Sequence, residues 1–195
     1  FPDTTVLKPE QFLRHKDLLR DADWVLFPEY WQINALVHGL KCRVFPSIAS
    51  YRIGHDKVEM TRAFQTVVPE HTPWTLIEAN GPQERDMLWD TMALPFVAKL
   101  PKASMGEGVW LIESRADWLK YCDRTDVLYV QEYLPIDRDV RVVVVGEQVV
   151  TAYWRTQSEQ GFYNNVARGG QIVAGDVPTA ATDLALRLAR ELVFV

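Results

Sequence analysis

Cysteine is scarce in this chain, and its placement excludes two classes of protein. Cys42 and Cys122 form no C-x-x-C pair and have no histidine pattern beside them. Neither a disulfide framework nor a zinc site is expected, and both read as free thiols in a reducing, cytoplasmic compartment. His15, His38, His55 and His71 show no metal-ligand spacing, and no metal-ligating residue is assigned. Positive charge is short as well: 21 Lys and Arg against 26 Asp and Glu leave a net charge of −5. A broad basic face able to neutralise many phosphates is missing, so no nucleic-acid partner is expected. No apolar run approaches the roughly 20 residues of a membrane span, and the N-terminus shows no charged-then-apolar leader, so no membrane partner is expected. Internal repeats and low-complexity segments are absent. So is an initiator Met, which suggests a piece of a longer protein.

What is present suits a globular protein: 195 residues, 48% hydrophobic and 24% charged, enough for one or two cores. Pro9, Phe12, Leu13, Leu18 and Leu19 predict a short amphipathic helix through about Arg20. Trp24 to Phe27 reads as a buried strand, Trp31 to Gly39 as a helix stopped by Gly39, and Val44-Phe45-Pro46 as the start of a return strand. A helix over Asp56 to Phe64, a strand over Trp74 to Ile77 and a helix over Gln83 to Met92 follow. Ala79-Asn80-Gly81-Pro82 is a loop by composition. Val109 to Ile112 returns as a strand, Ser114 and Asp117 open a capped helix, and Val127 to Tyr133 is a strand. Val140 to Tyr153 is a hairpin turned by Gly146-Glu147, and Pro178 to Leu192 is helical. Interleaved strands and helices with an antiparallel hairpin indicate two α+β subdomains with a cleft between them.

The segment Pro95 to Leu100 is a strand ending on Lys99, followed by the small-residue loop Ala103 to Val109 with Gly106 and Gly108. Glycines let backbone N–H groups approach phosphate oxygens, and a lysine supplies a point charge. The same letters also describe an ordinary turn beside a solvated lysine. A second apolar run, Val127 to Leu134, and a third, Asp139 to Val150, come next in order. Together the segments resemble the ATP-grasp superfamily. Asn165-Val166-Ala167-Arg168-Gly169-Gly170 resembles the Asn-x-x-Arg-Gly-Gly loop of its RimK-like branch, with glutathione synthetase a more distant relative. The resemblance runs from roughly Phe45 to the C-terminus.

It implies an α+β ATP-grasp fold, divided into residues 1–48 as the remnant of a preceding α/β domain, 49–129 as the subdomain with the lysine strand and Gly loop, and 130–195 as an incomplete C-terminal subdomain. It implies an ATP-dependent carboxylate–amine ligase forming an amide or peptide bond through an acyl phosphate. That chemistry needs preorganised cations more than a nucleophile. Lys57 and Lys99 match the family's phosphate-contacting lysines, Gly106 and Gly108 its phosphate loop, and Gln131, Glu132, Tyr133 and Leu134 its adenine segment. Asp139 and Arg141 are two apart on a strand and share a face, so a carboxylate suited to ribose and a guanidinium suited to phosphate line one wall. Regular pairing across Gly146-Glu147 sets Arg141 opposite Ala152 and leaves Arg155 on the other face, within reach only if the strand bends or ends. An ion pair of Arg141 with Asp139 or Asp137 is the structural alternative. The resemblance makes Arg141, Arg155 and Arg168 the catalytic cations and Asn165, Arg168 and Gly169 the substrate holders.

Tyr163 and Ala167 depart from the family's frequent basic residue and His, which leaves the substrate open. Magnesium is implied with ATP, but its acidic ligands belong after the Arg-Gly-Gly loop, beyond Val195; Glu78-Ala79-Asn80 has similar letters in the wrong place and reads as a loop. The expected partners are small-molecule or peptide carboxylates and amines, and a homo-oligomer is compatible with the reading. An ATP- or ADP-binding regulatory module without turnover is the alternative.

Overall fold

The computed structural model describes residues 2–103, 108–157 and 169–194. A 3-10 turn over Pro9–His15 runs into helix α1, Lys16–Asp21. Strands β1 (Val25–Leu26) and β2 (Val44–Phe45) pair in parallel, so the segment between them is a crossover, as the sequence pattern indicates. Its helical part opens with a 3-10 turn, Tyr30–Gln32, and continues into a π turn, Ala35–Leu40, which does not stop at Gly39. Lys41 ends it instead, in the left-handed conformation at φ 62°, with its N–H bonded to the Leu36 carbonyl. Phe12, Leu19, Ile33, Leu36, Cys42 and Val44 form a small core here.

Helix α2, Ile48–His55, begins at Ser47, whose hydroxyl accepts from the Ser50 N–H. The hydrophobic pattern alone does not reveal this helix, because none of its residues is fully buried. Helix α3, Lys57–Val67, is capped by Asp56, which accepts from the Val58 N–H at 2.9 Å. Strand β3 (Thr75–Ala79), helix α4 (Pro82–Thr91), strands β4 (Phe96–Lys99) and β5 (Val109–Ile112), helix α5 (Arg115–Cys122) and strand β6 (Val127–Glu132) follow. The strands form a four-stranded antiparallel sheet in the order β3-β6-β4-β5.

Side chains alternate across this sheet, and the two faces have different fates. Phe96, Ala98, Ile112, Leu128 and Val130 point to one side and make a core with Leu88, Met92, Trp118, Tyr121 and Cys122 from the α4 and α5 regions. The register puts Thr75, Ile77, Val97, Lys99, Tyr129 and Gln131 on the opposite face. Asn80 is a structural clasp, its amide donating to the Cys122 and Thr125 carbonyls at 2.6 and 2.5 Å, which agrees with its reading as a loop residue.

Strands β7 (Arg138–Val145), β8 (Gln148–Thr156) and β9 (Gln171–Val173) make a second antiparallel sheet, with helix α6 (Thr179–Glu191) packed against β7 and β8. Arg187 of α6 reaches α3, donating to the Val67 carbonyl at 3.0 Å. Both cysteines are buried and free. Among the described residues no helix is long and apolar enough to cross a membrane.

Leu128 has no exposed surface and lies in the centre of the first sheet. Leu128→Ala should cost about 2–5 kcal/mol in urea unfolding, through lost burial and a residual cavity. A loss below about 1 kcal/mol would place this face outside the main core.

Candidate functional site

Lys99 ends β4 on the sheet face that the core does not use. Its ammonium donates to Gln131 Oε1 at 2.5 Å and lies 5.7 Å from the centre of the Tyr129 ring. Lys57, at the start of α3, donates to the Ala103 carbonyl at 2.6 Å. Among the described residues neither lysine is in an ion pair; each has only neutral acceptors. Burial, then the nearby Lys57 charge, lowers the Lys99 pKa to about 8. Burial also lowers that of Lys57, against the opposing pull of Asp56. Two mutually repelling, partly desolvated cations with no carboxylate in ion-pair contact among the described residues are an arrangement that an anion relieves.

Gly108 closes the base of the loop between β4 and β5. Its φ of +71° is left-handed, a Cβ there would fall 2.9 Å from that of Ala103, and its carbonyl accepts from the Leu100 N–H at 2.7 Å. This glycine is required by the hairpin itself. Gly106 lies outside the described residues, as do Asn165 and Arg168.

The second sheet corrects the expected pairing. Val144 faces Val149 but Val143 faces Thr151, so Val150 is an extra residue, a bulge in β8. A one-residue shift exchanges the faces of everything beyond it. Arg141 therefore opposes Tyr153 rather than Ala152, and Arg155 opposes Asp139 on the same face. The two form a bidentate pair, Nε to Oδ1 at 2.7 Å and Nη2 to Oδ2 at 3.0 Å. Asp137 pairs with Arg138 instead, and Arg141 is exposed with no ion-pair partner among the described residues. The structural alternative for Arg141 is thus not what is observed.

The four residues of the adenine segment do not act alike. Gln131 faces the site, whereas the Glu132 carboxylate accepts from the Trp74 N–H at 2.7 Å and is used to fix the chain beside β3. Tyr133 and Leu134 follow the strand end, and Leu134 is exposed. Gly169, φ 90°, leads into β9. Sequence reasoning missed Thr61, Thr75 and Tyr129, which are buried around Lys99 and Gln131. In the sequence they read as ordinary members of a helix and of two strands, Thr61 in α3, Thr75 in β3 and Tyr129 in β6. Strand β9 was missed too: its three residues are all exposed.

A helix-backed antiparallel sheet carrying Lys99, with Lys57 on a helix beside it, and a second sheet carrying a carboxylate and guanidinium groups, is the layout of the ATP-grasp fold. Solved structures show the same fold. An ATP-grasp RimK domain protein from Sphaerobacter thermophilus superposes with a TM-score of 0.66 at 21% identity, over 88% of this chain and 65% of that one. D-alanine–D-alanine ligase from Bacillus anthracis complexed with ATP gives 0.67 at 13% identity, over 96% and 65%. The RimK-like ATP-grasp domain family matches residues 66–195, and the chain belongs to that family. Its sequence is 33% identical over 121 residues to a ribosomal protein bS6–L-glutamate ligase from Escherichia fergusonii, an alignment covering 58% of this chain but 40% of that relative's length.

The depressed Lys99 pKa has a stability signature. Between about pH 8, where the folded lysine loses its proton, and about 10.4, where the unfolded one does, the unfolded state binds more protons, so this residue's contribution to stability rises with pH. Urea unfolding of the parent and of Lys99→Met should show the parent gaining on the variant by about 1–3 kcal/mol across that window. A difference that does not change with pH would mean an ordinary solvated amine.

Proposed function

We propose that the chain supplies the nucleotide-binding part of an ATP-dependent carboxylate–amine ligase. In this reaction a substrate carboxylate oxygen attacks the γ-phosphorus of ATP and ADP leaves. An amine nitrogen then attacks the acyl carbon of the resulting acyl phosphate, inorganic phosphate leaves, and the nitrogen gives up a proton to complete an amide or peptide bond. The observation that carries this reading is the pair Lys57 and Lys99, two partly buried cations with neutral partners, one at the start of α3 and the other on the sheet face opposite the core. Family membership supports it, and so does the name of the glutamate ligase relative, which suggests an amino-acid amine and a peptide carboxylate as substrates.

In this reading Lys57 and Lys99 hold phosphate oxygens, and the backbone of Gln131 to Leu134 meets the adenine. Asp139, held rigid by Arg155, offers its remaining lone pairs to ribose hydroxyls. Arg141, exposed on the same face, is free to stabilise charge on the transferring phosphoryl group, with Arg168 and Asn165 assigned to the substrate. Residues 1–48, 49–129 and 130–195 serve as the corresponding structural units, the second boundary falling within β6. Magnesium would neutralise phosphate charge, but among the described residues no group of three or more His, Cys, Asp or Glu could hold a metal, so no step is assigned to it on them.

ATP at a hundred times its dissociation constant should stabilise the parent by about 2.7 kcal/mol. Lys99→Met should lose most of that stabilisation in thermal-shift titrations with ATP and magnesium while remaining folded without nucleotide. No calorimetric binding of ADP or ATP by the folded parent at millimolar concentration would sink the proposal. Equal shifts for parent and variant would remove Lys99 from the phosphate site.

A further inference from the structure

The hydrogen bonds around Lys99 run in one direction. The Thr75 hydroxyl donates to the Pro73 carbonyl at 2.8 Å, so its oxygen is left only to accept. It accepts from Gln131 Nε2 at 2.8 Å, which turns Gln131 Oε1 toward the Lys99 ammonium, 2.5 Å away. The opposite orientation of the amide would set an N–H donor against the ammonium and a carbonyl against a hydroxyl whose proton is already used. Gln131 Nε2 also lies 3.4 Å from the Tyr129 hydroxyl, and that hydroxyl is 2.8 Å from Thr61 Oγ1 on α3. Thr61, Thr75 and Tyr129 are 3%, 7% and 1% exposed, so water does not compete for these bonds.

We propose that Thr75 and Tyr129 are positioning residues for Lys99. Together they lock the Gln131 amide with its oxygen on the ammonium, and through Thr61 they tie that amide to the helix carrying Lys57. The relay starts at a backbone carbonyl, whose polarity cannot reverse, and ends on a cation. It fixes the direction of the Lys99 side chain before any anion arrives, so the two lysines approach a phosphate group as one preset unit. The charged group bearing on Lys99 from α3 is Lys57. From the sheet, Tyr129 presents its ring and its hydroxyl. This inference rests on the nucleotide reading given above, with Lys99 as the phosphate ligand.

The test compares the parent with Thr75→Val, which keeps the shape and removes the relay's anchor, and with Thr75→Ser, which restores a hydroxyl. ADP with magnesium is the probe, and affinity is measured by calorimetry from neutral to alkaline pH. Thr75→Val should bind ADP about three- to tenfold more weakly, the cost of the one neutral hydrogen bond from Gln131 that it removes. The pH at which affinity falls should also move down, because the ammonium loses an acceptor that favours its charged form. Thr75→Ser should recover both. A merely structural threonine would lower the melting temperature without moving that pH. Unchanged affinity and unchanged pH dependence in Thr75→Val, with ADP bound by the parent, would overturn the proposal. A parent that binds no ADP would instead bring down the nucleotide reading itself. If Thr75→Val does not fold, the parent's Gln131 side-chain amide decides by NMR: two resolved, exchange-protected protons support the lock, and a rapidly exchanging pair refutes it.

Discussion

The Lys99 wall of the candidate site depends on the strict two-residue alternation of one four-stranded sheet. Its odd and even positions are divided between a helix-covered core and a face that bears Lys99, Gln131, Thr75 and Tyr129. The core side is dense in aromatics, with Phe96 edge-on to Trp118 and Trp118 stacked near Tyr121. That packing holds the register, because a slip by one residue would bring Lys99 into the core and Phe96 out of it. Chemistry on one face is therefore secured by hydrophobic burial on the other.

Tyr121 shows how close the two faces are coupled. Buried on the core side, its hydroxyl donates to the Lys99 carbonyl at 2.9 Å and accepts from the Tyr129 N–H at 2.9 Å. Burial raises its pKa far above the ordinary tyrosine value, so it stays a neutral phenol that can do both. One core side chain thus pins the backbones of the two residues whose side chains meet on the site face.

Much of this was legible in the sequence where local pattern and tertiary structure agree. The valine hairpin around Gly146, the Ser114 cap, the lysine strand and the crossover between β1 and β2 all follow from short-range chemistry. Three features were not legible, each for a physical reason. Helix α2 buries none of its residues fully and rests only Ile48 and Tyr51 on the N-terminal core, so its periodic signal is confined to one turn. Gly39 looked like a helix stop because glycine favours left-handed backbone, yet the chain ran one turn looser and placed Lys41 there. The bulge at Val150 sits in a run of valines in which every register looks alike, so its effect on Arg155 emerged only from the paired strands. Within the site, the lysines and the Asp139 wall were readable as charges near glycine and on strands. The buried hydroxyls that orient them were not, because threonine and tyrosine on a strand look like ordinary β-formers.

Arg187 couples the two sheets at one corner. From α6 it bonds the Val67 carbonyl at the end of α3, and it makes ion pairs with Glu70 and with Glu191 of its own helix. Serine hydroxyls add a second tie nearby, with Ser47 donating to the Val193 carbonyl and Ser50 to that of Phe194. Because α6 also packs on β7 and β8, these few polar bonds tie the second sheet to α2 and α3 through a single helix.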